Sequence, residues 1–126
     1  MNNTNIKIIN SRTIRNLKGI ENFKKLEVLD LENNQNLIEI IDLKLDNKLK
    51  VLNLSKCENL ISLKGLINCE VDVLILCDTK SIKDFSDLNE MNLKELYIAG
   101  SSLKKSDISN RLQPILNWRS RPKLEI

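Results

Sequence analysis

Histidine is absent from this chain of 126 residues, and aromatic residues make up only 3% of it. Without histidine the sequence lacks the commonest general base and a frequent metal ligand, so we expect neither an enzyme active site nor a metal site. The three glycines, Gly19, Gly65 and Gly100, form no glycine-rich phosphate loop, and no cofactor is expected. Because aromatic residues are scarce, leucine and isoleucine must fill the core.

The sequence also lacks segments that direct a protein to a membrane. It contains no run of about 18 apolar residues, and residues 1–5 lack the basic region and apolar core of a signal peptide. Its three cysteines, Cys57, Cys69 and Cys77, are odd in number and show no paired spacing, so we interpret them as reduced thiols. These features predict an intracellular, cytoplasmic protein with no membrane partner.

Charge is too balanced to indicate a nucleic-acid partner. The formal net charge is only +3, and acidic residues are interleaved with lysine along most of the chain.

A nine-residue pattern at Leu49, Leu52, Leu54 and Cys57 recurs along the chain. Other copies lie at Leu26, Leu29, Leu31 and Asn34, at Val71, Leu74, Leu76 and Thr79, and at Leu93, Leu96, Ile98 and Ser101. A degenerate first copy is assigned to Ile6, Ile8 and Ser11. The four clear copies begin 22 or 23 residues apart. Over roughly the first five-sixths of its length, the chain resembles the leucine-rich repeat family with short repeats.

The resemblance implies an α/β solenoid with a concave parallel β-sheet, a convex side of 3₁₀ or extended turns, and a C-terminal capping helix. Residues 1–103 would hold about five repeats, and residues 104–126 the cap, with a short helix and a last strand at residues 124–126. Because side chains alternate along a strand, Leu29 and Leu31 should face the core while Val28 and Asp30 face outward.

After each strand comes a small residue expected to close a turn through hydrogen bonds: Ser11, Asn34, Cys57, Thr79 or Ser101. Apolar residues then follow at steps of three, as at Leu60, Leu63, Leu66 and Cys69, which predicts 3₁₀ turns or an extended path rather than α-helices. Asp46 interrupts this spacing in the second copy, with Leu45 one residue early, so a local rearrangement is expected there.

Beyond Ser101 the spacing of Ile108, Leu112, Ile115 and Leu116 favours a helix, beginning near Ser106 and Asp107. Pro114 predicts a kink or an early end. Trp118, the only tryptophan, is expected to cover the core at this end, or alternatively to bind a partner directly. No comparable cap precedes Ile6, so a partner or a second copy of the chain would cover the N-terminal end, or it would stay partly open.

Outward residues of the strands form the candidate partner-binding face, which the family usually employs. They are Val28, Asp30, Val51, Asn53, Val73, Ile75, Glu95 and Tyr97. An apolar centre inside a polar rim is typical of an interface, and Tyr97 would be its anchor. The valines alone are weaker support, since β-branched residues are favoured in any strand.

Three functions are therefore considered. The resemblance favours a non-enzymatic module that binds another protein, as an adaptor, an inhibitor or a complex subunit. An RNA- or ribosome-associated protein is the alternative, based on the basic residues near the C-terminus: Lys104, Lys105, Arg111, Arg119, Arg121 and Lys123. An enzyme would have only Cys77 on the concave face as a conceivable nucleophile, with no histidine to activate it.

Overall fold

The computed structural model describes residues 6–119 and residue 124. Within them the chain forms a six-stranded parallel sheet whose strands lie side by side in sequence order. The strands are β1 (Ile8–Asn10), β2 (Val28–Asp30), β3 (Leu49–Asn53), β4 (Val71–Ile75), β5 (Glu95–Tyr97) and β6 (Leu116–Asn117). The 3₁₀ helices between them are η1 (Ile20–Asn22), η2 (Leu66–Asn68), η3 (Ser86–Glu90), η4 (Lys105–Asp107) and η5 (Gln113–Ile115). None of these helices is long or apolar enough to cross a membrane.

One face of the sheet is a ladder of leucines. Leu29, Leu52, Leu74 and Leu96 are paired in register on four neighbouring strands, and all four are buried. No single unit could bury its own leucines, because each is covered by side chains of the adjoining units. The predicted alternation in β2 to β5, and the parallel pairing of these strands, are confirmed.

The return segments between strands follow the predicted step of three. Leu60, Leu63 and Leu66 are all buried, and the backbone N–H of Leu66 donates to the carbonyl of Leu63 at 3.1 Å. Such i to i+3 bonds bring every third side chain to the same side of the chain. In the second unit Leu45 takes the buried place and Asp46 is exposed, which is the rearrangement expected there.

Asn34 closes the turn that follows β2. Its amide nitrogen donates to the carbonyl oxygens of Ser11 and Leu31, both at 2.7 Å, and its amide oxygen accepts from the backbone N–H of Ile14 at 2.6 Å. Cys57, at the equivalent place after β3, donates from Sγ to the carbonyl of Leu31 at 3.1 Å. Asn34 and Cys57 therefore link their units to the preceding one, whereas Thr79 donates to the carbonyl of Leu76 within its own turn. All three close a turn through hydrogen bonds, as predicted.

The first unit has a different register from the one assigned to its sequence. Ile6 and Ile8 were expected to face the core, but Ile9 pairs with Leu29 and packs against the core, while Ile8 faces away and is 42% exposed. Ile8 pairs with Val28, a separation of 20 residues, whereas Leu29 and Leu52 are separated by 23. The first separation is shorter by an odd number of residues. Since side chains alternate along a strand, such a shift reverses which side chains of β1 face the core.

The predicted C-terminal capping helix is wrong: residues 104–119 contain η4, η5 and β6 but no α-helix. Ile108 adopts an extended backbone (φ −126, ψ 155) that ends η4 after three residues, and Pro114 lies in the short η5. The core is covered here by Leu103, Ile108 and Leu112, whereas Trp118 is 51% exposed and does not close it. The predicted last strand lies outside the described residues except for Leu124, which is in no strand.

Candidate functional site

The face of the sheet opposite the leucine ladder, here named the outer face, carries two rows of side chains. One row, the aliphatic row, consists of Ile8, Val28, Val51 and Val73, which are paired in register from β1 to β4. The three valines are half-buried and Ile8 is more exposed, so the row is accessible to solvent along its length. On β5 the row ends at the exposed side chain of Glu95.

Ile8 was missing from the predicted face, although its β-branched side chain extends the row by one strand. Ile8 was expected in the core because the first copy was given the same spacing from its neighbour as the later copies have. Ile9 was the signal that could have corrected this. Because Ile8 and Ile9 are adjacent and both apolar, the alternation of apolar and polar residues does not determine which of them faces the core.

The second row contains Asp30, Asn53, Ile75 and Tyr97, paired in register from β2 to β5. Three of the residues predicted to contact a partner are buried here: Asp30 is 5% exposed, and Asn53 and Ile75 are fully buried. The prediction of an exposed role for these three is wrong. Alternation along a strand decides the face on which a side chain lies, whereas its exposure depends on the side chains around it.

Asp30 and Asn53 are buried because they bind one another and the backbone. The side-chain nitrogen of Asn53 donates to Asp30 Oδ1 at 2.9 Å, and the same oxygen accepts from the backbone N–H of Glu32 at 3.1 Å. Asn53 Oδ1 accepts from the backbone N–H of Ser55 at 3.0 Å. Hydrogen bonds of this kind offset the cost of removing polar groups from water.

Arg12 adds a cation to this polar group. Its guanidinium lies 3.9 Å from Asp30 Oδ1 and 3.7 Å from Glu32 Oε2, and its side chain is 47% exposed. Between the aliphatic row and the turns of the first units, the outer face therefore carries polar side chains that bind one another.

Tyr97 remains partly accessible, as predicted for an anchor. Its hydroxyl donates to Glu95 Oε1 at 3.3 Å. Burial raises the pKa of Tyr97, and the nearby Glu95 carboxylate raises it further. The phenol is therefore neutral at physiological pH, and its single proton is donated to Glu95.

The thiols are placed for packing. Burial raises the pKa of Cys57 and of Cys69 to about 11, so both are protonated at neutral pH and are poor nucleophiles. Cys77, which the sequence placed on an accessible face, is only 4% exposed. Among residues 6–119 and 124, no group of three or more His, Cys, Asp or Glu side chains could hold a metal ion.

The basic residues near the C-terminus differ in their contacts within the described chain. Arg111 Nη2 donates to the carbonyls of Asn89 and Met91, at 2.6 and 2.7 Å, and so joins this segment to the preceding unit. Lys104, Lys105 and Arg119 are exposed, and Arg121 and Lys123 lie outside the described residues.

No protein-family model, curated protein or solved structure matches this chain.

Proposed function

We propose that this chain is a leucine-rich repeat solenoid that binds a partner protein on its outer face and has no catalytic activity of its own. In this proposal it serves as an adaptor, an inhibitor or a complex subunit. The single observation that carries the proposal is the aliphatic row, which stays accessible across four neighbouring strands.

A repeated backbone conformation supports the solenoid. Asn33, Lys56 and Asp78 have positive φ angles of 66, 58 and 59°, and Gly100 has one of 73°. Each residue comes just before a turn position, at the spacing of the sequence repeat. Residues other than glycine rarely adopt this conformation, so its recurrence indicates one turn geometry used four times.

The surroundings of the aliphatic row resemble the rim of an interface. Where the strands begin, Lys50 pairs with Glu27 at 3.4 Å, and Asp72 pairs with Lys48 and Lys94, each at 3.5 Å. On the other side Asp30 and Asn53 are buried, and the accessible charge is that of Arg12. An apolar strip between charged borders is the composition of a protein-binding surface, because the strip supplies buried area and the borders supply specificity.

The test is a triple variant, Val28→Ser, Val51→Ser and Val73→Ser, used as bait for affinity capture followed by mass spectrometry. Ile75 is left unchanged because it is buried. A matched control replaces three exposed isoleucines of the return segments, Ile38, Ile61 and Ile67, by serine; their exposed fractions are 52, 54 and 56%.

We expect wild type and the control to capture the same partner, and the row variant to lose it. With that partner purified, its affinity for the row variant should fall by at least about tenfold, because the three truncations together remove apolar contact worth more than about 1.4 kcal/mol. Equal binding by the row variant, together with loss in the control, would place the interface on the return side and refute the proposal.

A further inference from the structure

The outer edge of β1 carries backbone groups that no described residue pairs with. The carbonyl of Lys7 accepts from the N–H of Val28 at 2.9 Å, and the N–H of Ser11 donates to the carbonyl of Asp30 at 3.1 Å. Backbone groups alternate between the two sides of a strand. Ile8 lies one residue after the bonded position Lys7, so its N–H and C=O point away from β2 toward the free side.

Beneath this edge the core is open. A cavity of about 480 Å³ lies there, lined by apolar side chains that include Ile9, Ile14, Leu17 and Phe23. Ile14 is only half-buried, whereas the residues at its position in the next three units, Leu37, Leu60 and Ile82, are buried. In the later units the preceding unit covers this position, whereas no described residue covers it as completely in the first.

The first unit carries an excess of positive charge. Between residues 6 and 25 the chain has a single acidic residue, Glu21, and the following basic residues: Lys7, Arg12, Arg15, Lys18, Lys24 and Lys25. Arg12 forms ion pairs with Asp30 and Glu32. The other basic residues are exposed, and Lys18 lines the cavity. A second copy of the chain would bring the same cations to the contact and be repelled.

We propose that the free edge of β1 binds an extended acidic segment of a partner protein, which adds to the sheet as a further strand. Aliphatic side chains at alternate positions would enter the cavity beside Ile14 and Phe23, and aspartates or glutamates flanking them on the same side of the strand would meet Lys7 and Lys18. Main-chain bonds to Ile8 supply part of the affinity, and the charges select the partner. This surface meets the aliphatic row at Ile8, where it uses the backbone rather than the side chain, and the variants at Lys7 and Lys18 test it separately from the row.

The probe is a fluorescein-labelled peptide of seven residues in which Ile or Val at alternate central positions is flanked at both ends by Glu or Asp. Its counterpart carries Lys at every acidic position. Fluorescence anisotropy of each peptide is measured against the full chain, and sedimentation equilibrium of the chain alone gives its oligomeric state. Ile8→Pro removes the N–H that faces the free edge, and the pair Lys7→Glu and Lys18→Glu reverses the charge. The control pair reverses Lys83 and Lys105, which are exposed elsewhere.

The acidic peptide should bind and the lysine peptide should not. Ile8→Pro should weaken binding roughly fivefold, the loss expected for one hydrogen bond. The edge charge pair should weaken it further, with a reduced dependence on salt, while the control pair leaves it unchanged. Thermal melts check that each variant is folded. If Ile8→Pro is unfolded, the proposal is tested by comparing peptide binding of the edge charge pair with that of the control charge pair.

Three results would overturn the proposal. The first is no binding of the acidic peptide at concentrations up to about 1 mM, the range of weak peptide complexes. The second is equal binding of the lysine peptide. The third is a dimer of the chain that Ile8→Pro dissociates, since a second copy would then be the occupant of the edge.

Discussion

At Gly65 two successive return segments lie very close together. It comes just before η2 and has a φ of +103°. A Cβ atom added there would overlap the backbone carbonyl oxygen of Ile40 in the preceding unit. Because that neighbour is backbone rather than the end of a flexible side chain, it cannot move aside without shifting the whole segment. Gly65→Ala should therefore destabilise the fold strongly.

Gly19 provides the matched control. It occupies the same place in the first unit, just before η1, with a φ of +83°, and a Cβ there would lie 3.6 Å from its nearest neighbour, the side-chain nitrogen of Asn22. Gly19→Ala thus carries the conformational cost alone, about 1–2 kcal/mol. Gly65→Ala carries the same cost and an overpacking cost of about 1–3 kcal/mol, for a total of about 2–5 kcal/mol.

Urea unfolding, followed by far-ultraviolet circular dichroism and by the fluorescence of Trp118, would give the free energy of unfolding of both variants. Agreement between the two probes checks that unfolding is two-state, as the comparison requires. If Gly65→Ala cost no more than Gly19→Ala, the close approach of the returns at Ile40 would be wrong. So would the packing of successive units derived from it.

Leu52→Ala should lower the free energy of unfolding by about 2–5 kcal/mol because the side chain is fully buried, whereas Val51→Ala on the outer face of the same strand should cost under about 1 kcal/mol. Equal losses in urea titration would contradict the leucine ladder. Asn34→Asp keeps the acceptor oxygen but removes both donated hydrogen bonds, so it should cost about 1–3 kcal/mol; wild-type stability would show that the turn does not depend on them. Burial raises the pKa of Cys57 and Cys69 from 9.0 to about 11, so the folded state favours the protonated thiols. Their contribution should be complete below pH 9.0 and lost as the pH rises toward about 11, which a pH series of unfolding curves would detect and a double variant to alanine should reduce.

The central strands were predictable because their information is local. A residue such as Leu74 is apolar, has polar or β-branched neighbours on either side, and recurs at a constant distance from Leu52. Period-two alternation then decides which face is buried, and the steps of three decide that the returns are 3₁₀ turns. The two ends of the chain were predicted less well, since the first return is shorter and Ile108 interrupts the expected helix.

The candidate face shows where sequence reasoning stops. Val73 and Ile75 are both β-branched and lie two residues apart on the same strand, so both were expected to be accessible. Only Val73 is, because the accessibility of a side chain on a sheet depends on what neighbouring strands place beside it. The same holds for Asp30 and Asn53, whose mutual hydrogen bond joins residues from different units.

By itself, then, the sequence determined the period of the chain, the identity of the inward leucines from β2 to β5, and the residues that close the turns. These follow from the spacing of residues along the chain, which does not depend on the tertiary contacts that each segment makes. Only the tertiary structure decided the register of β1, the absence of an α-helix from residues 104–119, and the difference between the accessible valines and the buried row beside them. Each of these depends on contacts between segments some 20 residues apart, which no local pattern encodes.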